Sequence, residues 1–98
     1  MAKLNYKNSL IKKLQYRSIY SGSKECDFVL SNFAKNNLEK LSISELESYE
    51  RFLTLGDINI WNWVSNNEAI PFFEDENYEK FILMMKIFST QKLMKMLI

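Results

Sequence analysis

Apolar residues recur every three or four positions along most of this chain, and that spacing constrains the fold more than any other feature of the sequence. The clearest stretch runs from Lys24 to Asn36, where a complete helical stripe is formed by Cys26, Val29, Leu30, Phe33 and Ala34. Turn-forming residues are scarce, since the 98 residues include only two glycines and one proline. The sequence therefore predicts an all-α protein, a small single-domain bundle of about five helices with short connections.

Local signals place the ends of these helices. The third has the sharpest start, because Ser42 and Glu45 form a capping box while Leu41 and Leu46 occupy the hydrophobic-staple positions. Asp57 is predicted to be the N-cap of the fourth helix. The predicted helices run from about Tyr6 to Tyr20, from Lys24 to Asn36, from Ser42 to Gly56, from Asp57 to Asn66, and from about Asn77 onward. Residues 1–98 are predicted to form one domain, in which residues 89–98 either extend the last helix or fray.

Composition excludes several kinds of chemistry. Histidine is absent, so His-based triads and imidazole metal sites cannot be built from these residues. Cys26 is the single cysteine, which leaves no internal disulfide and no zinc site and fits a reducing compartment. The net charge of +1 gives no electrostatic argument for nucleic acid, and no apolar run approaches the ~20 residues of a membrane span. The first arginine is Arg17, so we expect no mitochondrial presequence and a cytoplasmic location.

The junction between the first two helices is the first candidate functional segment. Residues 16–27 concentrate aromatic, hydroxyl and charged side chains around Gly22. One interpretation is a binding surface. The other is an ordinary helix end, with Gly22 in a left-handed conformation, Ser23 as the next N-cap, and Glu25 and Asp27 complementing the helix dipole. The residues by themselves leave both interpretations open.

Two further segments carry candidate binding residues. Trp61 and Trp63 are two positions apart on a predicted helix and therefore point to different faces, which predicts one core tryptophan and one that is partly exposed. The methionines of residues 84–98 favour helix packing over a membrane-binding role. Gly22 and Gly56 stand alone, so no phosphate-binding loop is present and no cofactor is predicted to bind stably to this chain.

The motifs, in order along the chain, resemble the FAD assembly factor family of succinate dehydrogenase, called SdhE in bacteria. That family's signature is similar to Tyr-x-Ser-x-x-Arg-Gly-x-x-Glu, often followed by an Asp and an apolar helix. The matching residues are Tyr16, Ser18, Gly22, Glu25, Asp27, Leu30 and Phe33, then Leu41, Ser42, Glu45, Leu46, Asp57, Trp61 and Pro71. Three residues differ, since Ser21 replaces the signature arginine, Tyr20 replaces a usually basic residue, and Asn59 replaces an aspartate. The resemblance covers residues 10 to 88.

The resemblance implies an assembly factor and not an enzyme. Its client would be the flavoprotein subunit of succinate dehydrogenase, with fumarate reductase an open question, in a bacterial cytoplasm. The client would join its own histidine to the 8α carbon of FAD, so that FAD is attached to the client and catalytic and metal-binding residues are absent here. The residues implied to bind the client are Gly22, Glu25, Ser21, Lys24, Asp27, Tyr16, Tyr20 and Arg17.

Three other classes of function stay open at this point. A general helical adaptor with a different client is the main alternative, and the serine at position 21 favours it. A helical nucleic-acid binder requires a basic face, and the near-neutral net charge argues against one. A small enzyme ranks last, because carboxylates or lysines would need strong burial to act as acid or base at neutral pH.

Overall fold

The computed structural model describes the backbone of residues 2–19 and 24–97, and the side chains of residues 4–19 and 26–89. Over these ranges the chain forms five α-helices and no strand, which confirms the predicted all-α fold. The helices are α1 (Ala2–Ile19), α2 (Lys24–Asn37), α3 (Ile43–Leu53), α4 (Asp57–Val64) and α5 (Glu76–Leu97), with a short 3₁₀ turn at Leu38–Lys40. None of the described helices combines the length and apolar character needed to cross a membrane.

The predicted start of α3 is confirmed in detail. The Ser42 hydroxyl accepts a hydrogen bond from the Glu45 backbone N–H at 3.1 Å, and the Glu45 carboxylate accepts one from the Ser42 N–H at 2.9 Å. Leu41 and Leu46, at the staple positions, are both buried. This reciprocal pair satisfies two backbone donors that a helix start otherwise leaves without partners.

The predicted N-cap of α4 is wrong by one residue. Gly56 is the N-cap, with φ at +94°, and Asp57 is the first residue of the helix. The Gly56 N–H donates to the Leu53 carbonyl at 3.3 Å, and its own carbonyl accepts from the Ile60 N–H at 3.1 Å. One residue therefore ends α3 and starts α4, and it does so at a positive φ that aspartate adopts far less readily than glycine.

Other helix ends differ slightly from prediction. α1 begins at Ala2, ahead of the predicted Tyr6. α4 ends at Val64, and Asn66 follows it at φ +68°, in the left-handed region that asparagine tolerates. At the start of α5, the Asp75 carboxylate accepts from the Asn77 N–H at 3.0 Å, so the helix starts one residue early. The backbone of α5 then continues as helix to Leu97.

The core is built around aromatic side chains from α2, α3 and α5. The Tyr49 ring stacks on Phe33 with centroids 5.2 Å apart and meets the edge of Phe81 at 5.5 Å. α2 contacts α1, α4 and α5, while α5 contacts α2, α3 and α4, so these two helices connect the rest of the bundle. Trp63 is buried and Trp61 is half-buried against the core, which confirms the prediction that the two tryptophans differ.

Candidate functional site

The structure describes three of the eight predicted client-binding side chains. Tyr16 and Arg17 lie in the last turn of α1, and Asp27 lies in the first turn of α2. Lys24 and Glu25 are the first two residues of α2, but their side chains lie outside the described part of the chain. Tyr20, Ser21 and Gly22 lie outside it altogether, as does the predicted N-cap Ser23. Whether these eight residues form one docking surface therefore stays a prediction.

The described residues that flank this corner present large side chains to solvent. Tyr16 is 65% exposed, Ile19 is 51% exposed and Phe28 is 46% exposed. Ile19 and Phe28 were not among the predicted site residues. Both fall outside the apolar stripes of their helices, so a large apolar residue off the core-facing stripe was the available signal. Exposed aromatic and aliphatic side chains grouped together are typical of surfaces that bind other proteins.

An open groove runs between α1 and α2 beside the same corner. Its volume is about 690 Å³, and Ile19 and Phe28 are part of its lining. The charged lining residues are Lys35 and Glu39, one of each sign. Among the described side chains, no group of three or more His, Cys, Asp or Glu residues is arranged to hold a metal ion.

A buried hydroxyl group links the last turn of α1 to the core. Ser18 is fully buried, and its Oγ donates to the Leu14 carbonyl at 2.8 Å. The same Oγ lies 2.8 Å from the Tyr49 hydroxyl of α3. A serine hydroxyl has one proton and two acceptor lone pairs, so Tyr49 donates this second hydrogen bond. The signature serine is thus a structural residue.

Burial raises the pKa of Tyr49 well above its usual value, while its hydrogen bond with Ser18 opposes that shift. Tyr49 is therefore a neutral hydroxyl that can donate at any physiological pH. Cys26, in the first turn of α2, is also buried and belongs to the same core. Each helix that borders the corner thus has a buried anchor close to its end.

Comparison with known families identifies the chain. A family model described as "Flavinator of succinate dehydrogenase" matches residues 12–88. That range includes the second part of α1, all of α2, α3 and α4, and the first half of α5. The chain belongs to this family, as the motifs around Gly22 indicated.

Similar proteins carry a related name. The chain is 34% identical over 65 residues to "Succinate dehydrogenase assembly factor 2, mitochondrial" of Schizosaccharomyces pombe, an alignment that covers 66% of this chain and 47% of that protein. It is 39% identical over 62 residues to the protein of that name in Dictyostelium discoideum, covering 63% and 44%. For Meyerozyma guilliermondii the identity is 36% over 73 residues, covering 74% and 54%. The chain thus spans about half the length of these relatives. No solved structure is significantly similar to it.

Proposed function

We propose that this chain binds the flavoprotein subunit of succinate dehydrogenase and promotes the covalent attachment of FAD to that subunit. The observation that carries the proposal is the family match over residues 12–88, which includes the whole α1–α2 corner. The relatives are named as assembly factors for the same enzyme, which supports the same client.

In this proposal the chain acts as a binding partner and does not catalyse bond formation. The family resemblance implies that the client joins its own histidine to the flavin, and the absence of histidine from these 98 residues agrees with that. A partner that binds one conformation of the client more tightly raises the population of that conformation. A tenfold preference, about 1.4 kcal/mol of differential binding, changes the ratio of two client conformations tenfold.

The proposed docking surface centres on Gly22, whose missing side chain permits close approach of another backbone. Glu25 offers its carboxylate to a donor on the client. The surface is completed by Tyr16, Arg17, Tyr20, Ser21, Lys24 and Asp27. The exposure of Tyr16 in the last turn of α1 and the neighbouring exposed Ile19 and Phe28 support this location.

The test is a flavinylation assay with purified client, FAD and this chain. Flavin fluorescence of the client band in a denaturing gel reports covalent attachment. The full chain is expected to increase it, and Glu25→Ala is expected to remove most of the increase. Glu74→Ala is the matched control, because Glu74 is an exposed carboxylate in the α4–α5 connection. Equal fluorescence with and without the full chain would contradict the proposal, provided that circular dichroism shows the chain folded.

A helical adaptor for a different client is the second candidate. The observation that favours it is Ser21, which stands where the family signature has arginine. Arginine makes bidentate contacts that serine cannot replace. Pull-down with the purified flavoprotein subunit separates the two candidates, because an adaptor for another client would leave that subunit in the unbound fraction.

The proposed location is the cytoplasm of a bacterial cell, although the relatives are named as mitochondrial proteins. The single buried thiol, Cys26, is compatible with a reducing compartment. Fractionation of cells that carry a tagged full-length protein tests this location directly.

A further inference from the structure

The last turn of α1, which leads into the proposed docking surface, buries one residue in the core. Residues 15–19 are all described, and among them only Ser18 is buried. The preceding buried residue of α1 is Leu14, one full turn earlier. The contact that holds Ser18 therefore contributes directly to the position of this turn.

Tyr49 of α3 provides that contact. Its hydroxyl donates to the Ser18 Oγ at 2.8 Å, across 31 positions of sequence. The Tyr49 ring is itself held by Phe33 and Phe81, with centroids 5.2 and 5.5 Å away. A hydrogen bond between two buried groups has a defined length and direction, unlike apolar contact, which tolerates sliding. The pair therefore restrains the last turn of α1 relative to α3.

We propose that the Tyr49–Ser18 hydrogen bond is a positioning element for client binding, because it holds the last turn of α1, which carries the predicted docking residues Tyr16 and Arg17. The inference rests on the proposed function, since it assumes that those residues bind the flavoprotein subunit. Tyr49 and Ser18 do not touch the client in this proposal. They act by keeping the docking residues in the geometry that the client recognises.

The experiment compares variants that remove the hydroxyl contact with one that removes a similar amount of core packing elsewhere. Tyr49→Phe deletes only the donating hydroxyl. Ser18→Val and Ser18→Thr introduce side chains of nearly the same shape, but only threonine keeps a hydroxyl at this position. Ile60→Val, in α4, removes one buried methylene and serves as the matched control for lost stability.

Two measurements are made, at a temperature where every variant is folded by circular dichroism. Calorimetry gives the dissociation constant for the purified flavoprotein subunit. We expect Tyr49→Phe and Ser18→Val to weaken binding by about 3- to 10-fold, the ratio that loss of one buried hydrogen bond gives. Ile60→Val and Ser18→Thr are expected to bind within about 2-fold of the natural chain. In the absence of client, the amide NMR signal of Gly22 is expected to shift in Tyr49→Phe and not in Ile60→Val.

The outcomes separate this inference from the proposed function. If the natural chain binds the client and Tyr49→Phe binds equally well, the positioning role is wrong and the docking proposal stands. If the natural chain does not bind the client, the proposed function fails, and an unshifted Gly22 signal in Tyr49→Phe would overturn the positioning role as well. Equal weakening by Ile60→Val would reduce the pair to an ordinary stabilising contact and would also overturn the inference.

Discussion

The two glycines of this chain lie in two different helix–helix connections. The two connections differ in which groups surround the glycine and in the role that those groups have. Gly56 connects α3 to α4, and both of its backbone polar groups make hydrogen bonds to neighbouring turns. Gly22 lies in the α1–α2 connection, which is bordered by the exposed side chains of Tyr16, Ile19 and Phe28. The first connection serves the chain's own fold. The second is proposed to serve another protein, so a change in each glycine should have a different consequence.

The largest expected effect is that of Gly22→Arg on the client. A long charged side chain at the centre of the docking surface should weaken client binding at least ~10-fold, because it prevents close approach. Binding to the purified flavoprotein subunit is measured by calorimetry. Ser9→Arg is the control, since it places the same side chain on an exposed position of α1. Unchanged affinity of Gly22→Arg would remove the difference between the two connections.

Gly56→Ala should show the converse pattern. An added Cβ has room, because the nearest heavy atom, Nδ2 of Asn59, would lie 4.0 Å away. The cost comes from the backbone, since φ is +94° and non-glycine residues are strained there by about 2 kcal/mol. Chemical denaturation should therefore show a lower free energy of unfolding, while client binding by the folded protein is unchanged. Ser44→Ala, at an exposed position of α3, should change neither quantity.

The start of α3, like Gly56, is expected to affect the chain's own stability and not client binding. It is stabilised by an ion pair as well as by hydrogen bonds. A hydrogen bond from Lys80 of α5, followed by one from the Ser42 backbone N–H, lowers the pKa of Glu45 to about 2 from 4.5. A lowered pKa in the folded state means that this carboxylate stabilises the fold above pH 4.5 and that the contribution is lost as the pH falls towards 2. After allowance for solvent screening, we expect a loss of about 1 kcal/mol over this range.

Thermal unfolding of the natural chain and of Glu45→Gln at several pH values measures this contribution. The difference in stability between the two proteins should be largest above pH 5 and should shrink as the pH approaches 2. Glu76→Gln, an exposed acid in the first turn of α5, is the control for general charge effects. A difference that stays constant from pH 6 to 2 would contradict the assignment.

The smallest expected effect is that of Ser21→Arg, which restores the arginine of the family signature. A surface ion pair at the edge of a docking surface contributes less than about 1 kcal/mol, so binding should tighten by about 3-fold. Arginine at position 21 would then tighten client binding, whereas arginine at the adjacent position 22 would weaken it. Weaker binding by Ser21→Arg in the same calorimetric assay would show that this chain docks differently from its relatives.

Local features of the fold could be predicted from sequence, while contacts between distant segments could not. The capping box of Ser42 and Glu45 is a pattern three residues apart, and the stripe of α2 has a fixed helical period. The Tyr49–Ser18 contact joins residues 31 positions apart, and only the packing of α1 on α3 reveals it. Ser18 lies at helical spacing from Leu10, Ile11 and Leu14, which are also buried, but this spacing does not identify its partner.

The error at Asp57 has a related cause. Aspartate is a good N-cap by preference, but the cap is decided by which residue takes the non-helical backbone conformation, and the short turn after α3 assigns that to Gly56. Likewise, the spacing of Trp61 and Trp63 indicated two faces, whereas the positions of α2 and α5 determine which face is the core. The docking surface is the least accessible to such reasoning, because its geometry depends on a second protein.

The enclosed thiol of Cys26 has a practical consequence for anyone who studies this protein. Because it is the only cysteine and is almost completely covered, a bulky alkylating reagent can react with it only while α2 is locally detached from the core. The alkylation rate thus measures how often the structure beside the α1–α2 corner opens locally. The measurement needs no engineered label, and a client that stabilises this half of the molecule on binding would lower the alkylation rate.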